Sequence, residues 1–410
     1  MKKVLVLLLA STLLISCADD KRYAPKEGRI SIFEKEAVQT TTAQVKIANP
    51  IQNKTWIMPF YNIQNNQPNL IVNQMNKPLW NNRISKASPP KNNTLPTTLV
   101  NVDAIYQLDN NYALTKTDLQ SGKQLWQLNL AKNKQGLSLA LSNKTVLALS
   151  TDGVLTAVSL DGKQLWQKDL QVTTRAPLVA DNTSVYLITT HNQFIVLNIQ
   201  NGNELWRYQT TKTNTGLTTM APPAKKDNIL VVPFATGEVI AFDANSGLLT
   251  WIQMLVGNRP QDLTQIPQIA AAPVIDETTV YLTGNANLTA AYDLYSGETK
   301  WTNDFASIIT PIISGNTLFL MTTNNELLAL EKTSGKIFWR KTIHPDENTT
   351  WHSLSLINNQ LVLTTTNKMV FINVENGQTE QIKKKSVYAK PVVANGFLTI
   401  TDKKNNMQVY

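Results

Sequence analysis

Six times along this chain a short turn ending in glycine is followed, four residues after that glycine, by tryptophan. The copies are SGKQLW (Ser121 to Trp126), DGKQLW (Asp161 to Trp166), NGNELW (Asn201 to Trp206), SGLLTW (Ser246 to Trp251), SGETKW (Ser296 to Trp301) and SGKIFW (Ser334 to Trp339). A seventh turn, Asn376-Gly377, has Gln381 where tryptophan would stand. Successive tryptophans lie 40, 40, 45, 50 and 38 residues apart. A period of roughly 40 to 45 residues is that of a four-stranded propeller blade. Asn-Gly, Asp-Gly and Ser-Gly allow the positive φ values of tight hairpins, so each copy marks a reversal between two strands.

Upstream of each turn lies an apolar strand, such as Leu155 to Leu160, Phe194 to Ile199, Val239 to Asp243 or Met369 to Val374. Further upstream stands another, such as Val185 to Ile188 or Thr317 to Leu320. Pro177, Pro223, Pro273, Pro311 and Pro391 open several repeats, at the position where a strand tolerates proline. No helical periodicity intervenes. A four-stranded sheet has two apolar faces and cannot bury both alone, so neighbouring repeats must stack.

Stacking gives the tryptophans a structural role, wedged between blades: Trp80, Trp126, Trp166, Trp206, Trp251, Trp301 and Trp339. Counting the segment Lys77-Pro78-Leu79-Trp80 and the degenerate copy at Gln381, the outer strands number eight. Their preceding partners also number eight, the last being Met407 to Tyr410. The expected fold is therefore all-β: an eight-bladed β-propeller of four-stranded antiparallel blades, closed by pairing the segment around Trp80 with the C-terminal strand. Closure removes the edge that a linear array would expose.

The N-terminal part reads differently. Lys2 and Lys3 precede an apolar run from Val4 to Ile15, too short to span a membrane and of signal-peptide length. Leu14-Ile15-Ser16-Cys17 resembles a bacterial lipobox, so residues 1–16 are expected to be a lipoprotein signal peptide and Cys17 the lipidated residue, anchoring the chain to the outer membrane. Ala18 lacks the aspartate of the enteric inner-membrane retention signal. Residues 17–55 are polar and read as a lipidated tether, and residues 56–410 as the propeller.

Cys17 is the sole cysteine, so the body has neither a disulfide nor a catalytic thiol. Loss of Lys2 and Lys3 with the leader lowers the formal charge from +9 to +7. The positive charges are scattered, or grouped as Lys225-Lys226, Lys383 to Lys385 and Lys403-Lys404, without the aromatic interleaving of a nucleic-acid groove. His191, His344 and His352 show no metal-ligand spacing. Asp161, Asp243 and Asp293 stand in turns, as hairpin formers. No phosphate loop or nucleophile elbow is present. The reading is of a protein without catalytic residues, metal or cofactor. Trp351, beside His352, is the conspicuous aromatic for a glycan platform.

The repeat A-x-D-x-x-S/T-G-x-x-x-W is similar to that of pyrroloquinoline-quinone dehydrogenase propellers, over residues 77–410. Together with the lipobox and the polar tether, it resembles the BamB family of outer-membrane β-barrel assembly lipoproteins. The resemblance implies a periplasmic, non-catalytic scaffold, monomeric within a complex. Such a scaffold binds the POTRA domains of a BamA-type insertase and assists insertion of outer-membrane proteins. Alternatives are a quinoprotein-like or glycan-binding envelope propeller with another partner.

Propeller loops carry recognition, and the two longest departures from the period enlarge the connections Gln209 to Pro222 and Gln253 to Ala272. The resemblance places partner contacts there by position, which makes Leu217, Met220, Arg259 and Asp262 the candidates. Gln268 and Ala270 stand near the places of two family aspartates.

Overall fold

The computed structural model describes residues 39–83, 85, 97–142, 144–212, 220–255, 268–346, 349–387, 389–402 and 404–410. Within them the chain forms eight antiparallel sheets and no helix. In ring order, blades I to VII span 97–129, 136–169, 179–209, 224–254, 274–303, 312–342 and 353–384, each a meander running from innermost to outermost strand. Blade VIII takes three strands from 392–409 and its fourth from Trp80–Arg83. Trp80 pairs with Val409 and Arg83 with Asn406, which is the closure expected from the strand count. The innermost strands of blades I and II, II and III, IV and V, V and VI, and VI and VII touch, and that of blade I touches that of blade VIII.

The sequence periodicity explains the layering. The two middle strands of a blade are apolar on both faces, as Ser184–Ile188 and Gln193–Asn198 illustrate, because each face meets another blade. The outermost strands alternate between exposed side chains and the tryptophan. Pro223, Pro273, Pro311 and Pro391 each sit one residue before an innermost strand, where a missing N–H leaves no ladder position empty.

Every tryptophan of the repeat reaches into the following blade. Trp126 Nε1 donates to Leu160 O (3.2 Å), Trp206 Nε1 to Ala244 O (3.2 Å) and Trp251 Nε1 to Leu294 O (2.8 Å). Trp80, in blade VIII, donates to Leu119 O of blade I (2.9 Å), so the same device spans the seal. Each ring lies flat against the hairpin glycine of the next blade. At Gly247, φ is +71° and a Cβ would stand 2.8 Å from Trp206 Cδ2, so this position excludes side chains on both conformational and steric grounds. Burying an indole of roughly 150 to 250 Å² contributes at most about 4 to 6 kcal/mol per ring at about 25 cal/mol per Å².

The absence of tryptophan at Gln381 follows from the closure. A wedge in blade VII would need a hairpin glycine between the third and fourth strands of blade VIII. Those two strands, Asn406–Val409 and Trp80–Arg83, come from opposite ends of the chain, and no hairpin joins them. Phe371 stands opposite Gln381, whereas alanine stands opposite Trp166, Trp251, Trp301 and Trp339.

Residues 39–55, expected as tether, belong to a continuous segment 39–73 that docks on the propeller. The segment crosses the face of the ring that carries the first-to-second-strand turns, hydrogen-bonding blade after blade. Ile337 N donates to Gln39 O (2.9 Å) in blade VI, and Asn358 N to Leu70 O (2.9 Å) in blade VII. Asn395 N donates to Asn53 O in blade VIII, and Thr55–Trp56 adds a fifth strand to the sheet of blade I. Leu141 N of blade II binds Ile57 O, Lys225 N of blade IV binds Ile63 O, and Ile275 N of blade V binds Gln64 O. Met58 packs in the core shared by blades III and IV. Residues 39–55, expected as part of a polar linker, thus include backbone that finds its partners on the propeller. Buried amide side chains of the segment serve the docking: Asn53 Nδ2 donates to Val393 O, and Asn69 Nδ2 to Asn359 Oδ1.

Candidate partner-binding face

With residues 39–73 on one face, the connections between consecutive blades leave from and return to the opposite face. There the enlarged connections 209–222 and 253–272 flank blade IV. Their described ends are firmly held. Asn192 Nδ2 donates to Thr211 O (2.8 Å), and Gln209 Nε2 donates to His191 O (3.0 Å). Ala221 N donates to Ile269 O (3.3 Å), tying the base of one connection to that of the other.

Between them runs the outermost strand of blade IV, Leu249–Met254. Trp251 faces the next blade and is buried, while Leu249, Ile252 and Met254 are 45%, 48% and 52% exposed, and Leu248 of the preceding turn is 70% exposed. The strand carries no charge. An edge strand presents unpaired N–H and C=O groups, and proteins commonly guard such edges with charge. The neighbouring outer strand of blade III does so, with Glu204 pairing Arg207. Hydrogen bonding from Arg207 holds the Glu204 carboxyl below its usual range. Blade IV therefore offers an apolar, uncharged edge of the kind that protein partners cover.

Among the expected contact residues, Leu217, Arg259 and Asp262 lie outside the described residues, as does Cys17. Met220 is described, and it is 6% exposed, packed in the core of blades III and IV with Tyr186 and Phe234. It anchors the base of its connection and is not placed to touch a partner. The physical reason is local: the chain must turn inward to start the innermost strand Ala224–Lys226, and an apolar residue there is drawn under the blade. Gln268 is buried as well. Trp351, expected to be accessible if it were a glycan platform, is 7% exposed and packs in the core of blades VI and VII.

The edge residues Leu248, Leu249, Ile252 and Met254 were not singled out from the sequence. Their signal was present: SGLLTWIQM places four apolar residues around the tryptophan where SGETKWTN has none.

Among the described residues, no group of three or more His, Cys, Asp or Glu side chains is placed to hold a metal ion. His191 lies in blade III, His344 follows blade VI and His352 precedes the first strand of blade VII. Asp243 and Asp293 accept hydrogen bonds from the backbone and hydroxyl of the serine three residues on, and those bonds lower their pKa. They are turn builders, as expected.

Comparison with known proteins agrees with this architecture. An uncharacterised protein of Rickettsia prowazekii is 24% identical over 94% of this chain and 88% of its own length. The outer membrane protein assembly factor BamB of Yersinia pestis is 23% identical over 75% of this chain and 82% of its own. The crystal structure of BamB from Moraxella catarrhalis superposes with a TM-score of 0.69 at 17% identity, covering 81% of this chain and 98% of that one. A europium-containing methanol dehydrogenase shares the fold, with a TM-score of 0.66 at 12% identity over 87% of this chain and 89% of that one. Residues 110–341, more than half of the sequence, match the family described as outer membrane protein assembly factor BamB. The chain, an eight-bladed propeller with an uncovered apolar edge on blade IV, belongs to the BamB family.

Proposed function

We propose that this protein is a non-catalytic scaffold of outer-membrane protein assembly. It is lipidated at Cys17 after removal of residues 1–16 and held at the periplasmic face of the outer membrane. It acts as a monomer within a complex, without cofactor or nucleic acid, and docks a BamA-type insertase through its POTRA domains. The observation that supports this reading most is the apolar outer edge of blade IV, set between two enlarged connections whose bases are hydrogen-bonded to each other. An extended segment of a partner can add to such an edge through main-chain hydrogen bonds, with Ile252 and Met254 supplying apolar contacts. Leu217, Arg259 and Asp262, on the connections to either side, would extend the contact.

A photo-crosslinking residue placed at Ile252 in intact cells tests the proposal. Recovery of a BamA-type insertase, abolished by Met254→Asp, is the expected result. Recovery of only glycan or an unrelated protein overturns it. The rival glycan-binding reading has lost its aromatic platform, since Trp351 is buried.

A further inference from the structure

We propose that the seam between blades VII and VIII is a second recognition site, which takes an acidic peptide segment presenting an aromatic side chain. This is the seam that lacks a tryptophan wedge, and it holds a cleft of about 180 Å³. Its apolar walls are Met369 and Phe371 of blade VII and Leu398, Ile400 and Tyr410 of blade VIII. A cavity of about 150 Å³ lined by apolar groups accommodates a benzene ring, so this cleft has room for a phenyl or indole group. The fold itself shows what such a seam accepts, because Trp80, Trp126, Trp166, Trp206, Trp251, Trp301 and Trp339 each put an indole against the following blade.

Charge specifies the rest of the ligand. Lys383, Lys384 and Lys385 are among the lining residues, and no aspartate or glutamate side chain is. Lys383 Nζ donates to Met75 O (3.2 Å) and lies 5.3 Å from the Phe371 ring centroid, while Lys385 Nζ lies 4.8 Å from that of Tyr410. None of the three has an ion-pair partner among the described residues. The ammonium groups of Lys383 and Lys385, held against the aromatic walls of the slot, match carboxylates flanking an aromatic residue. An inserted ring would also lie within reach of two of those cations. The site is on other blades than the edge at Ile252 and does not rest on the insertase reading.

The test is fluorescence anisotropy of the full chain with a fluorescein-labelled peptide, Asp-Glu-Asp-Trp-Asp-Glu-Asp. Two controls accompany it: the same peptide with alanine for tryptophan, and phosphatidylglycerol vesicles in a flotation assay. Saturable binding is expected, weakened about tenfold or more by the charge reversal Lys383→Glu/Lys385→Glu and similarly by the alanine peptide. Ile252→Asp should leave it unchanged. Absence of saturable binding, equal binding of both peptides, or indifference to the charge reversal overturns the proposal. So does flotation with vesicles in place of peptide binding, which would make the lysines a lipid contact.

Discussion

The wedge at Trp206 can be dissected by a double-mutant cycle with Gly247. The ring lies 5.4 Å from Phe194 and 5.7 Å from Phe242, centroid to centroid, and its Nε1 donates to Ala244 O. Trp206→Ala removes the indole, opens a cavity between blades III and IV and strands that carbonyl. Large-to-alanine truncations of this kind cost about 3 to 5 kcal/mol. Gly247→Ala places a methyl group at φ +71° and 2.8 Å from the ring. The conformational part costs about 1 to 2 kcal/mol, and overpacking adds about 1 to 3 kcal/mol. In the Trp206→Ala background only the conformational part should remain, so the two substitutions should couple by about 1 to 3 kcal/mol. Urea unfolding followed by far-ultraviolet circular dichroism avoids the fluorescence change caused by losing an indole. A loss under ~0.5 kcal/mol for Trp206→Ala, comparable to that of an uninvolved surface substitution, would refute the wedge. Strict additivity with Gly247→Ala would refute the contact between ring and glycine.

Two further outcomes follow from the segment that crosses the ring. Asn65 is buried at φ 55° and its Nδ2 donates to Pro223 O (3.2 Å) and Pro273 O (3.0 Å). Asn65→Ala should cost about 2 to 3 kcal/mol and speed hydrogen exchange at the Lys225 and Ile275 amides; unchanged exchange there would disprove the clip. The Lys390 ammonium lies 5.6 Å from the ring centroids of both Trp56 and Phe60, and desolvation lowers its pKa to about 8. Below pH 8 the folded protein bears the full cost of burying that charge. The cost is relieved as pH rises from about 8 towards the ordinary lysine value near 10.5, so stability rises through that window. Lys390→Met should stabilise the protein at pH 7, by at most about 3 kcal/mol, and flatten the rise. A rise that persists in the variant would assign it to another group.

The architecture was legible because its determinants are local and repeated. Serine-glycine and asparagine-glycine turns, with tryptophan at a fixed offset, set strand order, register and blade count, and the mismatch at the two ends foretold the pairing of Trp80 with Val409. The docking of residues 39–73 was not legible, because it uses hydrogen bonds from mostly irregular backbone to seven of the eight blades and leaves no period in the sequence. Met220 was misplaced for a related reason. Chain position put it in a connection, but its side chain belongs to the core, and only the entry angle into Ala224–Lys226 decides between the two. The exposed edge of blade IV is built by the residues that alternate with Trp251, which the glycine-to-tryptophan period does not mark.

The pairing of Trp80 with Val409 has a consequence for how the chain reaches its native state. The crossing segment and the sealing strand precede all the other strands in the sequence, so what they bind, Val409 above all, is synthesised after them. Until then the ring is an open array with unpaired borders at both ends, and much of the crossing segment lacks its partners. Such a molecule has many contacts between distant parts of the sequence and should fold slowly, in a late step that snaps the circle shut. In that interval it is itself a β-rich client in need of protection from aggregation.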